Sequence, residues 1–187
     1  NGTVVGWGRN ENGQSTIPSD LSNVISIFAA NYHSLALKSD GTVVGWGLND
    51  VGQTDTPADL NDVISITGGD HISVALKRDG TVVKWGSNEY GLMERLNDIV
   101  DYEGVITSIE LKYRYILALT DNGTLIEMGR GQGVPVGLNN VVSIAAGIES
   151  SLTLKNDGTV VKWGSARYVP EGLIARLPEG LIARLPE

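Results

Sequence analysis

The sequence contains no cysteine, which removes disulfides, thiolate metal sites and a thiol nucleophile together while leaving the compartment open. Histidine is almost as scarce. The only two, His33 and His71, lie in the first half of the chain, and no His-X-X-X-His pair, Gly-X-Ser-X-Gly elbow or phosphate loop accompanies them. Asn10-Glu11-Asn12 and Asn49-Asp50 lack the spaced carboxylates and bidentate Glu of a calcium loop. These gaps lead us to expect no catalysis, no cofactor and no metal. Positive charge is also thin: 14 Lys and Arg stand against 22 Asp and Glu, for a net charge of −8, with no basic cluster to engage a phosphate backbone. No apolar run approaches the roughly 20 residues a membrane helix needs. Neither nucleic acid nor membrane is therefore expected as a partner. The chain opens at Asn1 without Met or a basic-then-apolar leader, as a processed product or a fragment would, so a removed signal peptide stays open.

What is abundant is glycine, 24 residues, in a chain that is 41% hydrophobic. Many short strands joined by tight turns produce that combination. Self-comparison exposes the arrangement. Gly-Thr-Val-Val-X-Trp-Gly begins at Gly2, Gly41, Gly80 and Gly158, and a weaker copy, Gly-Thr-Leu-Ile-Glu-Met-Gly, begins at Gly123. Upstream of each internal copy lies an apolar segment centred on Ile27, Ile66, Ile109 or Ile144. From that Ile to the Trp or Met column the distance is constant at 19 residues (27 to 46, 66 to 85, 109 to 128, 144 to 163). Length variation is confined to the connectors, as packed units separated by surface loops require.

Within a unit, Val24–Ala30, Ser34–Leu37 and Thr42–Trp46 read as short β-strands, with Asp40-Gly41, Asp79-Gly80, Asn122-Gly123 and Asp157-Gly158 supplying positive φ for a hairpin between the second and third. A three-stranded meander cannot bury both faces alone, so the units must stack, and radial stacking gives a propeller. The expected fold is all-β: a β-propeller-like array of three- to four-stranded antiparallel blades, about four complete units, as an open or partial propeller. The units fall at 24–47, 63–86, 105–129 and 141–164, with a lone third strand at 1–8, inside a repeat domain spanning 1–170. Residues 171–187 form a tail in which Gly172–Glu179 is repeated identically as Gly180–Glu187. It is either a duplicated segment or an arm that covers an open sheet edge.

Trp46-Gly47-Leu48-Asn49-Asp50-Val51-Gly52-Gln53 and His33-Ser34-Leu35-Ala36-Leu37 resemble the regulator of chromosome condensation repeat family, and the likeness extends over roughly Asn1 to Pro170. The short spacing is similar to the compact bacterial branch, which includes a propeller-type β-lactamase inhibitor protein. The resemblance implies a propeller that binds proteins and inclines toward a secreted or extracellular bacterial protein. The third connector departs from the family pattern, losing Gln and Pro and gaining an insert around Leu92-Met93-Glu94-Arg95.

Topology assigns the loops to two rims. The first turns, Asn31-Tyr32, Asp70-His71, Tyr113-Arg114 and Ile148-Glu149, share one rim with the segments after Trp-Gly, which carry Asn49-Asp50, Tyr90, Arg130 and Tyr168. These positions differ between units while the strands repeat, so Asn31, Tyr32, Asp70, His71, Tyr113, Arg114, Glu149, Tyr90, Arg130 and Tyr168 are the candidate partner-binding residues. In the inhibitor branch the same rim engages the target, which the resemblance carries over. Trp7, Trp46, Trp85 and Trp163, one per unit at fixed phase, read as packing between blades rather than as a stacking set for sugars. His33 fills the family's His position with a structural hydrogen bond, and His71 stands in a variable column and is more exposed. Asn1-Gly2-Thr3 and Asn122-Gly123-Thr124 fit the glycosylation pattern, but turn chemistry accounts for both. The functional expectation is a non-enzymatic interaction module with a protein partner. The alternatives are an assembly protein that self-associates through its open edge strand and tail, an enzyme inhibitor, or a guanine nucleotide exchange factor for a small GTPase.

Overall fold

A computed structural model describes residues 2–87, 91, 94–96, 99, 104–112, 115–129, 133–147 and 150–164. Twelve strands form four antiparallel three-stranded sheets in which each strand pairs with its neighbour in sequence. The first sheet is β1 (Val24–Ala29), β2 (His33–Lys38) and β3 (Val43–Gly47). The second is β4 (Val63–Gly68), β5 (Ile72–Lys77) and β6 (Val82–Gly86). The third is β7 (Ile106–Lys112), β8 (Tyr115–Thr120) and β9 (Leu125–Gly129), and the fourth is β10 (Val141–Ala146), β11 (Ser150–Lys155) and β12 (Val160–Gly164). The first strands β1, β4, β7 and β10 lie side by side in chain order, so the sheets fan outward from them as blades in an open, unclosed arc.

Each blade repeats the same local devices. The first strand bulges at its start: Val24 faces Lys38 while Ser26, two residues on, faces Leu37, and the same irregularity recurs at Val63, Ile106 and Val141. Three of the four blades enter that strand from a left-handed Asn or Asp (Asn23, Asp62, Asn140), residue types that tolerate positive φ. The hairpin differs in detail from expectation. Gly41 alone takes positive φ (80°), its N–H bonding Lys38 O at 3.0 Å, while Asp40 turns its carboxylate onto the Thr42 N–H at 3.0 Å. This is a type I turn closed by a glycine bulge, which needs one left-handed residue rather than two.

The middle strands are buried along almost their whole length because both faces are covered. Leu35 and Leu37 point toward the second blade, where they meet Val63, Ile66, Ala75 and Trp85. Val74 and Leu76 likewise meet Ile106, Ile109 and Ala118 of the third, and Leu117 and Leu119 meet Val141, Ile144 and Trp163 of the fourth. A large-small-large alternation thus lets the Leu side of one blade press on the Ala side of the next. Each fully buried Leu or Ile contributes about 1.5–3 kcal/mol, so these joints hold the array together. The insert in the third connector contributes Leu96 and Ile99, both buried in the joint between the second and third blades.

Two expectations need correction. Residues 2–8 form no strand: β3, β6, β9 and β12 each hydrogen-bond to the middle strand of their own blade, and no described strand stands in that position beside residues 2–8. Trp85 and Trp163 are buried as expected, but Trp7 is 83% exposed, because no described blade lies against it.

Candidate interaction rim

The rim rests on the way each first turn is tied to the segment after Trp-Gly. Tyr32 O accepts the Leu48 N–H at 2.9 Å, and His71 O accepts the Ser87 N–H at 2.7 Å. Gly47 and Gly86 take positive φ (106° and 98°) at these contacts, and a Cβ on either would collide with the carbonyl of Tyr32 or His71 at 2.7 and 2.4 Å. Glycine is therefore fixed there by the approach of the rim turn as well as by its own backbone.

Four of the ten candidate residues lie among the described ones, and the fold brings them together. Asn31 donates through its side chain to Asp70 Oδ1 at 2.8 Å, linking the first turns of two blades. Beside that bond, the rings of Tyr32 and His71 stack with centroids 5.7 Å apart and planes inclined by 30°. Arg9 extends the row, its guanidinium 5.5 Å from the Tyr32 ring centre while it also pairs with Glu11, whose hydrogen bond raises the Arg9 pKa. At the other end, Asp50 Oδ1 stands 3.8 Å from His71 Nδ1. The result is a continuous Arg9–Tyr32–His71–Asp50 row flanked by the Asn31–Asp70 bond. His71 is partly covered by these neighbours, although more open than the fully buried His33. Tyr113, Arg114, Glu149, Tyr90, Arg130 and Tyr168 lie outside the described residues.

Beneath the rim, the connectors are held by their Gln. Gln53 is completely buried. Its amide accepts the Val51 N–H at 3.1 Å and donates to Asp50 Oδ1 at 2.9 Å, which positions Asp50 beside His71. Gln14 accepts the Asn12 N–H and donates to Asn31 O, both at 3.0 Å, fastening the rim turn of the first blade. Sequence reading missed Arg9, Glu11 and the two Gln residues as rim-shaping groups. The Gln of the repeat motif was the available signal for Gln14 and Gln53.

One polar joint crosses between blades under this rim. Ser73 Oγ donates to Gln53 O at 2.6 Å, so it accepts from His33 Nε2, 2.9 Å away. That proton placement makes His33 a neutral imidazole, and burial pushes its pKa down to about 4. The same column in the third blade is Tyr115, whose hydroxyl lies 3.2 Å from Ser151 Oγ of the fourth and 2.8 Å from Gly147 O. Between the second and third blades the two columns hold Ile72 and Ile116, packed in one apolar cluster. No group of three or more His, Cys, Asp or Glu able to hold a metal occurs among the described residues.

Fold and site together define a repeat protein of β-propeller type. The pattern of the regulator of chromosome condensation (RCC1) repeat matches residues 24–53 and 63–92, so the chain carries RCC1 repeats. Human WBSCR16 is similar in structure at 20% identity and a TM-score of 0.66, over 84% of this chain and 56% of that one. The CR4 receptor kinase ectodomain of Physcomitrella patens matches at 24% identity and 0.66, over 85% and 46%. Prp20p of Saccharomyces cerevisiae, a protein studied for its binding to Gsp1p and histones, matches at 22% and 0.62, over 78% and 47%. Likeness at these identities concerns the fold. The chain spans about half the length of these proteins. No curated protein sequence matches it significantly.

Proposed function

We propose that the chain is a non-enzymatic module that binds a protein partner through the variable loops of one rim. The observation that carries this reading is the Arg9–Tyr32–His71–Asp50 row: the blades repeat, yet their first turns bring different aromatic and charged side chains into one contiguous surface. Tyr and Arg are the residue types that anchor protein interfaces, since they give large contact area and directed hydrogen bonds. Tyr113, Arg114, Glu149, Tyr90, Arg130 and Tyr168 extend the same surface in this reading. That Prp20p, a protein of the same fold, binds other proteins supports it.

The test is affinity for a purified natural partner, compared between the wild type and a variant with Tyr32, His71 and Arg114 all changed to Ala. At least a tenfold loss is expected, while Ser39→Ala with Arg78→Ala, on the opposite hairpin rim, leaves binding unchanged. Equal affinity for the rim variant and the wild type sinks the reading. A nucleotide-release assay on small GTPases separates general protein binding from an exchange-factor role.

A further inference from the structure

The first blade presents a face that the other three have buried. Ile27 is 59% exposed, whereas Ile66, Ile109 and Ile144 in the same column are 7% exposed or less. In those three blades the face is covered by the Leu side of the preceding middle strand, the same joint made three times. In front of the first blade only part of that joint exists. A Cβ on Gly2 would press on Val24 N, as one on Gly41 would approach Val63 N, and Gly6 lies against Ser15 O as Gly45 lies against Thr54 O. Residues 2–8 thus occupy the place of a third strand, with no strand pairing among the described residues. Beside them runs a groove of about 300 Å³ lined by Val4, Val5, Val24, Ile25 and Ile27.

The polar part of the joint is also half made. Ser34 Oγ donates to Gln14 O at 2.9 Å, as Ser73 Oγ donates to Gln53 O. Ser73 uses its remaining acceptor capacity for His33, while Ser34 has no such donor among the described residues.

We propose that this face accepts a β-hairpin from another polypeptide. Its second strand pairs antiparallel with residues 4–8, lays a Leu-small-Leu row over Ile27, and places a His or Tyr donor on Ser34. Backbone pairing to the free edge supplies affinity and the side-chain row supplies selectivity, the logic of strand addition. This surface shares none of the row residues of the proposed rim, so either proposal can fail without the other.

The probe is a fluorescein-labelled synthetic peptide of residues 24–38, which carries both strands and the His33-Ser34-Leu35-Ala36-Leu37 pattern, titrated against the intact protein by anisotropy. Saturable one-to-one binding is expected, about tenfold weaker when the peptide carries His33→Ala, and abolished when the protein carries Ile27→Glu, at a site open enough to leave the fold intact. Because a free peptide pays an ordering cost, a second arm joins residues 24–40 directly ahead of Gly2, which rebuilds the natural turn and raises the effective concentration. This fusion is expected to gain several degrees in Tm, and to lose the gain with Ile27→Glu. Either Ile27-dependent result supports the proposal. Absence of both, or any binding or Tm gain that survives Ile27→Glu, overturns it.

Discussion

His33 Nε2 and Ser73 Oγ lie 2.9 Å apart across the joint between the first and second blades, and neither residue is accessible to solvent beyond a trace. The bond couples two units that sequence separates by one full repeat. His33→Ala removes the donor and opens a cavity beneath the rim, and is expected to cost about 2–4 kcal/mol. His33→Tyr is expected to cost less, since Tyr115 already reaches the next blade from that column. Urea unfolding of the two variants, compared by midpoint, checks the order.

The same histidine makes stability depend on pH. Its folded pKa is about 4 against 6.5 for the unfolded side chain, so the unfolded state binds the extra proton between those values. The contribution is fully present above pH 6.5 and falls as pH drops toward 4, by at most about 3 kcal/mol for a shift of this size. Asp40 acts in a separate window: the Thr42 hydroxyl and N–H hold its carboxyl down at about 2, so what it contributes is present above pH 3.8 and is lost as pH falls through 2. Unfolding curves from pH 7 to 4.5 are expected to steepen their loss in the wild type, and His33→Tyr flattens that segment.

Gly8 and Gly47 share a column and a positive φ (95° and 106°), yet a Cβ meets nothing within 4 Å at Gly8 and lies 2.7 Å from Tyr32 O at Gly47. Gly8→Ala is expected to cost about 1 kcal/mol from backbone strain alone. Gly47→Ala adds displacement of the rim turn and is expected to exceed that by about 2 kcal/mol. Equal thermal shifts for the two substitutions would contradict the steric account.

Gln53→Ala is expected to cost about 2 kcal/mol, since it leaves the Val51 N–H without its acceptor and releases Asp50. Because Asp50 lies beside His71, the substitution also weakens partner binding several-fold in the rim reading, although Gln53 itself is fully buried. Stability and affinity measured on one preparation separate the two effects.

Much of the fold was legible because its periodicity is local. Ile, Leu-Ala-Leu, Asp-Gly and Val-Val-X-Trp recur at fixed offsets, and each specifies a strand or turn through its own steric preferences. Trp7 shows the limit of that reading. Its phase marks it as core, but burial belongs to the neighbouring blade, and a residue without that neighbour stays in solvent whatever its column. The candidate rim was legible as a set of variable turns and illegible as an arrangement. Nothing in the sequence says that Asn31 meets Asp70, that Tyr32 stacks on His71, or that Arg9 caps the row.

The sequence by itself determined the blade: its three strands, its glycine-bulge hairpin and the large-small-large middle strand follow from contacts within a few residues. Tertiary structure decided which face of one blade meets which face of the next. That choice made a hydrogen bond of His33 and Ser73, an apolar contact of Ile72 and Ile116, and an exposed patch of Ile27. The reason is physical: a side chain's hydrogen bond, burial and pKa depend on the atoms around it, and at a joint those atoms belong to another unit of the repeat.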